Sequence, residues 1–143
     1  MLPVAELYRD CDQLHIQVLP CPLPENGSLS IMDGRGACYI GMDGSVLDGG
    51  TLERVHLGHE VGHCATGSFY NRYSPYDLRH RHENRADKWA IRRLIPVDAL
   101  DEAIAGGCTE VWELAEWFGV TEELMRKAVC LYVHGNLATD LYF

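Results

Sequence analysis

A chain of 143 residues is long enough for one ordinary domain and too short for two. With 47% apolar residues and a net charge of −9, it has the composition of a globular protein and lacks the broad basic face of a general nucleic-acid binder. No apolar run approaches the roughly 18 residues that span a bilayer. Neither a signal peptide nor a Cys-x-x-Cys pair is visible, so we expect a cytoplasmic protein with six reduced, mostly buried thiols.

The first third of the chain predicts one helix and a small sheet. Apolar residues at helical spacing cover residues 2–14, and prolines within residues 20–24 then predict an extended linker. Two strand-like runs follow, Ser28–Met32 and Ala37–Gly41, with an Asp-Gly pair between them that suits a hairpin turn. We therefore expect an antiparallel sheet formed by residues within 15–47.

The rest of the chain predicts helices. Thr51 can cap a helix over residues 52–66, and a loop from Gly67 to Leu78 follows it. The next helix is expected over about 82–95, because the residue before Pro96 avoids helical geometry. Three shorter helices follow, over 97–105, 110–118 and 121–133. Together these elements predict one α+β domain, residues 1–143, in which the sheet packs on the two central helices and the C-terminal helices close the other side.

The first central helix contains an H-E-x-x-H run from His59 to His63. Histidines four residues apart lie on one helix face, so both imidazoles can reach one Zn²⁺. Glu60 lies about 100° round the helix from His59 and can instead take a proton from water at the open position of the metal. A chance run arises in roughly a few per cent of chains, and an ordinary histidine pair is the alternative interpretation.

A catalytic zinc site needs a third protein ligand and an open fourth position. The pattern with a third histidine, H-E-x-x-H-x-x-G-x-x-H, fails because Thr66 and Phe69 occupy its last two defined positions. The other solution takes a glutamate from a following helix. Glu83, twenty residues after His63, begins the predicted second helix and is therefore the expected third ligand.

Asp87 lies one turn beyond Glu83 on the same helix face. It can accept a hydrogen bond from the second ring nitrogen of a zinc histidine, as carboxylates near metal sites commonly do. His80 and His82 are rival ligands, although loop histidines more often contact solvent or substrate. A simple acidic pair at a helix start, where the helix dipole favours negative charge, is the alternative for Glu83 and Asp87.

The sequence around these residues resembles the ImmA/IrrE metallopeptidases. Residues 52–63 look like the active-site helix of that family, and Glu83-Asn84-Arg85-Ala86-Asp87-Lys88-Trp89-Ala90 with Leu94-Ile95-Pro96 looks like its second motif. The resemblance is strong over residues 52–96 and weaker elsewhere. Ile95 stands where the family often has methionine, and Cys64 after the second histidine is a further departure. Neither difference affects a predicted ligand.

The resemblance implies a thermolysin-like zinc peptidase core in which His59, His63 and Glu83 bind the metal and Glu60 is the general base. It also implies a cytoplasmic endopeptidase encoded beside a helix-turn-helix repressor, often in phages or mobile elements, which cleaves that repressor. An oxyanion-stabilising residue is expected from the loop region, without a choice among its candidates: Tyr70, Tyr73, Tyr76, His80 and His82.

Two other functions remain open at this point. Residues 110–133 resemble a helix-turn-helix, which would suit a DNA-binding regulator, but Glu122 and Glu123 open the would-be recognition helix where phosphates would lie. Direct nucleic-acid binding is therefore not expected. A catalytically silent, metal-stabilised interaction module is the second alternative. For a peptidase, the segment Ala37–Met42 is the expected sheet edge for an extended substrate, and the loop 64–81 is the expected source of selectivity.

Overall fold

The computed structural model describes residues 1–71 and 73–143. Three strands in this part of the chain form one sheet: β1 (Gln17–Pro20), β2 (Ser28–Met32) and β3 (Cys38–Met42). The same part of the chain contains six α-helices: α1 (Val4–Gln13), α2 (Thr51–Thr66), α3 (Tyr76–Leu94), α4 (Val97–Ala105), α5 (Val111–Phe118) and α6 (Glu122–His134). The predicted α+β class is confirmed.

The predicted hairpin is also confirmed. Strands β2 and β3 pair antiparallel, with Ser28 opposite Met42 and Met32 opposite Cys38. The side chain of Asp33 stabilises the turn between them, because it accepts hydrogen bonds from the backbone N–H groups of Arg35 and Ala37.

The sheet is mixed, so the expectation of a purely antiparallel sheet was wrong. Strand β1 pairs parallel to β3, and the strand order is β1-β3-β2. The prolines predicted to form a linker begin inside β1, whose last residue is Pro20. Because β3 is the central strand, the expectation that Ala37–Met42 offers a free edge was also wrong. The edge that faces the central helices is β2.

Helix α2 starts at the predicted place but by a different cap. Thr51 is its first residue and not its cap, and the preceding Gly50 has no capping side chain. The carboxylate of Asp48 fills that role instead, since it accepts hydrogen bonds from the backbone N–H groups of Gly50, Leu52 and Glu53. The helix ends at Gly67, whose φ of 65° places it in the left-handed conformation common after helices.

Helix α3 begins at Tyr76, six residues before the predicted start. Pro75 precedes it. Residues 76–82 are all partly or fully exposed, so this first part of the helix has no buried apolar face that the sequence pattern could reveal. The later part of α3 packs closely on α2. A Cβ added at Gly62 would lie 2.5 Å from the carbonyl oxygen of Ala86, so this glycine allows the two backbones to approach.

The three C-terminal helices match their predicted ranges and bury Leu114, Phe118 and Met125 in the common core. Buried Arg54 on α2 joins distant segments, since its guanidinium donates to the carbonyls of Leu2 and Gly119 at 2.7 Å each. None of the described helices is long and apolar enough to cross a membrane.

The six cysteines are free thiols, as predicted, but fewer are buried than expected. Only Cys11 and Cys130 are fully buried, while the other four are partly accessible. Burial raises the pKa of the Cys11 thiol to about 12, with the charges of Asp10 and Asp12 adding to the effect. This thiol is therefore protonated at neutral pH and packs as an apolar group.

Candidate metal centre

Helix α2 presents the two predicted histidines on one face. His59 and His63 are one turn apart, and their Nε2 atoms lie 3.1 Å from each other. His63 is buried, whereas His59 keeps about a quarter of its side chain exposed.

The carboxylate of Glu83 on α3 faces both imidazoles. Its Oε2 lies 2.8 Å from Nε2 of His59, and its Oε1 lies 3.2 Å from Nε2 of His63. The phenol of Tyr70 donates a hydrogen bond of 2.6 Å to the same Oε1. Burial raises the pKa of Glu83, but its hydrogen bonds to His59, His63 and Tyr70 lower the pKa far more, so it is ionised at neutral pH.

Three residues of α2 form a group that could hold a metal ion. One ligand atom each from His59, Glu60 and His63 lies within 4.8 Å of the other two. In a tetrahedral zinc site, two imidazole nitrogens are separated by about 3.3 Å, close to the separation of the two Nε2 atoms. Glu83 approaches the same nitrogens from the opposite helix, so the donor set fits a metal such as zinc, with two carboxylates as candidate ligands.

The second ring nitrogens of the two histidines are also engaged. Nδ1 of His59 lies 2.8 Å from Oδ1 of Asp87, the contact that the sequence predicted, and Nδ1 of His63 donates to the carbonyl of Ser68. Lys127 of α6 binds the other oxygen of Asp87 at 2.9 Å. These contacts orient both imidazoles with Nε2 toward Glu83, which is the orientation a shared metal requires.

The charges around His59 strongly favour a positive partner. Burial lowers the pKa of His59, but hydrogen bonds to Asp87 and Glu83 raise it to about 10. Burial raises the pKa of Asp87, yet its contacts with His59 and Lys127 lower it overall. Without a metal, His59 is therefore protonated at neutral pH between two ionised carboxylates, and a cation that binds its Nε2 would replace that proton.

Glu60 is buried on the side of the group nearest the sheet. Its Oε2 accepts a 2.7 Å hydrogen bond from the hydroxyl of Ser28, which in turn lies 2.8 Å from Nδ1 of His56. Sequence reasoning missed both residues. His56 precedes Glu60 by one helical turn, a spacing that could have revealed it, whereas Ser28 on β2 carried no signal.

The loop before α3 brings some of the predicted oxyanion candidates to the site. Tyr70 and His80 line the cavity, but Tyr73, Tyr76 and His82 do not. Burial raises the pKa of Tyr70 to about 12, and its hydrogen bond to Glu83 contributes, so this phenol is protonated at neutral pH. In the described part of the chain, the group of possible metal ligands on α2 includes neither His80 nor His82, and Glu83 also lies outside it, although its carboxylate contacts both Nε2 atoms.

A cavity of about 780 Å³ opens over these groups. Its walls include β2 with Ser28 and Ser30, α2 and α3 with the candidate metal group, α6 with Lys127, and the loop with Tyr70. The histidines and both glutamates thus border a cavity that a ligand can enter along the edge strand.

Comparison with known proteins does not assign a family to this chain. No protein-family model matches the chain. A comparison with curated proteins found no match either. The resemblance to the ImmA/IrrE metallopeptidases thus remains a prediction from the two motifs.

Proposed function

We propose that this protein is a zinc-dependent endopeptidase. His59, His63 and Glu83 would hold the metal, and Glu60 would act as the general base. The single observation that carries the proposal is the convergence of two Nε2 atoms and the Glu83 carboxylate within 2.8 to 3.2 Å of one another, beside a second, buried glutamate in an open cavity. Three ligands and one adjacent base are the requirements of a catalytic zinc site.

The hydrogen bonds support different roles for the two glutamates. One oxygen of Glu60 is bound to Ser28, so its carboxylate is held toward the sheet. Both oxygens of Glu83 instead face the histidine nitrogens. Glu83, which approaches the histidines from another helix, is thus placed to bind the metal. Glu60, which is held beside them, is placed to act as the base.

A bound zinc ion would polarise the scissile carbonyl and lower the pKa of a coordinated water. Glu60 would take the proton of that water and return it to the leaving amine, which requires a carboxylate within reach of both. Tyr70 is the best placed of the predicted oxyanion stabilisers, because its protonated phenol already lies at the metal-facing carboxylate of Glu83. Hydrogen-bond donors of this kind stabilise charge that develops in a transition state.

The edge strand β2 gives a route for the substrate. An extended peptide can pair with the free edge of a sheet, and the cavity wall contains Ser28, Leu29 and Ser30 of that edge. This replaces the predicted role of Ala37–Met42. Main-chain pairing reads little sequence, so selectivity would come from the segment 64–81, which contains the end of α2 and the start of α3 and which the structure describes except for residue 72.

The proposed substrate is a cytoplasmic helix-turn-helix repressor of a phage or mobile element, and this part rests on the family resemblance. It would be cut in an exposed linker and not degraded generally. Direct DNA binding is disfavoured by Glu122 and Glu123, both exposed at the start of α6. A silent metal-stabilised module remains the alternative.

The substitution Glu60→Gln tests the chemistry. The amide cannot accept the proton, so we expect the variant to keep its zinc and lose peptide hydrolysis by at least about 100-fold. Glu123→Gln is the matched control, since Glu123 lines the same cavity but is highly exposed on α6. Unchanged hydrolysis in Glu60→Gln would contradict the proposed base, and a wild-type protein that binds zinc without hydrolysis would favour the silent module.

The substrate is tested separately. Zinc-loaded protein is incubated with casein and with the repressor encoded next to its gene. A single cut in the repressor and slow digestion of casein are expected. Rapid casein digestion or an intact repressor would contradict the regulatory role and leave the metal chemistry unaffected.

A further inference from the structure

We propose that Ser28 and His56 are positioning residues that fix the carboxylate of Glu60 through a directed chain of two hydrogen bonds. This inference rests on the proposed function and adds two residues to it. The contacts are short: 2.7 Å from the Ser28 hydroxyl to Oε2 of Glu60, and 2.8 Å from Nδ1 of His56 to the same hydroxyl.

The direction of the chain follows from proton counting. An ionised carboxylate can only accept hydrogen bonds, so the single hydroxyl proton of Ser28 goes to Glu60. The oxygen of Ser28 is then left as an acceptor, and Nδ1 of His56 must carry the proton that it receives. The geometry therefore requires His56 to have its proton on Nδ1, with the direction His56 to Ser28 to Glu60.

Two structural elements hold this chain in place. His56 and Glu60 are four residues apart on α2 and so share one face, while Ser28 begins the edge strand β2. Both Ser28 and Glu60 are less than a tenth exposed, at 8% and 5%. Water therefore has little access to replace the serine.

The turn before β2 leaves space for the histidine ring. Gly27 has a φ of 79°, and a Cβ added there would lie 2.9 Å from Cε1 of His56 and 2.9 Å from Cγ1 of Val46. A side chain at this position would be strained in its backbone and would push the imidazole away from Ser28. The glycine is thus a second, independent feature that favours this placement of His56.

The consequence for the reaction is a carboxylate with one oxygen fixed and the other free. Oε2 is committed to Ser28, which leaves Oε1 for the water proton. Orientation of this kind strongly affects rates, since a displacement of about 1 Å can reduce a rate roughly 100-fold. Neither Ser28 nor His56 needs to touch the substrate for this role.

Three variants near the start of strand β2 separate positioning from folding. Ser28→Ala removes the donor, Ser28→Thr keeps a hydroxyl, and Asn26→Ala is the matched control, because exposed Asn26 lines the same cavity two residues before Ser28. The substrate is a quenched-fluorescent peptide that spans the bond cut by the wild-type protein in the repressor. With it, we expect kcat of Ser28→Ala to fall roughly 10- to 100-fold with KM changed less than about twofold. Ser28→Thr should recover most of the activity.

Two further measurements do not depend on that rate. Zinc content and affinity of Ser28→Ala should equal those of the wild type, because the hydrogen bonds of Ser28 go to Glu60 and His56 and to none of the three proposed ligands. Imidazole ¹⁵N NMR of the zinc-loaded protein should show His56 with its proton on Nδ1, and that proton signal should be lost or exchange rapidly in Ser28→Ala. In a Glu60→Gln background, Ser28→Ala should cause no further loss of kcat, since the base is already absent.

The outcomes distinguish this inference from the proposed function. Hydrolysis that is unchanged in Glu60→Gln, or absent in the wild type, overturns the proposed function and the positioning role together. If Glu60→Gln is inactive but Ser28→Ala has wild-type kcat, only the positioning role is overturned. A proton on Nε2 alone of His56, zinc loss in Ser28→Ala, or an equal loss of kcat in Asn26→Ala would also overturn it.

Discussion

The two central helices contribute to the metal group from very different surroundings. Eight of the sixteen residues of α2 are buried, and they are spread from Glu53 to His63. In α3 the five buried residues all lie in the later part, from Ala86 to Leu94. Glu83 stands just before that buried part, and about a third of its side chain is exposed.

This difference separates two kinds of groups at one site. The histidines and the proposed base belong to a helix fixed along its whole length by packing. The carboxylate from the facing helix is held mainly by the histidines themselves and by Tyr70. At the metal, the firmly packed groups of α2 would therefore meet a less firmly held carboxylate of α3. A bound cation would fix Glu83 to the histidines, which packing alone does not do.

The largest expected effect comes from removing the proposed ligand that α3 contributes to the metal. Glu83→Gln should weaken zinc binding by more than about 100-fold, since loss of even an indirect partner of a metal ligand costs 10- to 100-fold. His59→Ala should bind no stoichiometric zinc. Elemental analysis after dialysis and a competition titration with a chelator give both values.

The rival histidines provide the control for this prediction. His80→Ala and His82→Ala should keep full zinc, because the α3 side chain that contacts Nε2 of both His59 and His63 is that of Glu83. Full zinc in Glu83→Gln together with loss in either histidine variant would reassign the third ligand. The third ligand would still come from α3, which contains both rival histidines.

A second substitution tests the close approach of the helices. In Gly62→Ala the new methyl group would meet the backbone oxygen of Ala86 at 2.5 Å, which a rotamer change cannot relieve. We expect a loss of about 3 kcal/mol in the free energy of unfolding and a Tm lower by roughly 6–12 °C. Thermal unfolding of the metal-free protein measures it.

The matched control is Gly58→Ala on the same helix. There the nearest atom is Cδ1 of Leu94 at 3.1 Å, the end of a flexible side chain. Its effect should be much smaller, and both variants share the gain of about 1 kcal/mol from replacing a helical glycine. Equal Tm values for the two variants would show that the backbones can separate at Gly62 without cost.

The substitution Asp87→Asn tests the contribution of a second α3 carboxylate, which contacts His59 but is not a proposed ligand. The amide removes one negative charge beside His59 and leaves Lys127 without its close partner. Zinc affinity should decrease roughly 10- to 100-fold with the stoichiometry unchanged at saturating metal. Glu123→Gln, which changes a more distant and exposed contact of Lys127, should keep wild-type affinity. An Asp87→Asn protein with undiminished affinity would contradict the orienting role of this carboxylate.

The smallest expected effect concerns the start of α2. Hydrogen bonds from the backbone N–H groups of Gly50 and Glu53 lower the pKa of Asp48. The stability that its ionised form contributes is therefore present above its ordinary pKa and is lost as the pH falls through the lowered value. Asp48→Ala should cost about 1 kcal/mol at pH 7, and the difference from wild type should shrink at acid pH. Urea unfolding at several pH values measures it, and a difference that grows on acidification would contradict this account.

Local patterns in the sequence predicted much of this structure. The hairpin follows from the Asp-Gly turn, and the three C-terminal helices follow from their glycine boundaries. The facing histidines of α2 follow from helical spacing alone. The early start of α3 was missed because residues 76–82 have no buried face, and the mixed sheet was missed because the pairing of β1 with β3 joins segments some twenty residues apart.

In the site, too, contacts that follow from local spacing were predicted, and contacts between distant segments were missed. Asp87 was predicted as the partner of a zinc histidine because it lies one helical turn after Glu83. Lys127 could not be paired with Asp87 from the sequence, since forty residues separate them. Ser28 was missed for the same reason, because it reaches Glu60 from a strand that only the folded sheet brings to α2.

The ion pair of Asp87 with Lys127 also sets an order of events on the ribosome. Both histidines, both glutamates and Asp87 are synthesised before α6. At about 5 to 20 residues per second, the forty residues that separate the pair take roughly 2 to 8 s to synthesise. During that interval a nascent chain already carries every proposed ligand, but its Asp87 lacks the lysine that completes the surroundings of His59. Metal captured at this stage would meet an unfinished pocket, so the mature arrangement is reached only after translation of the last helix.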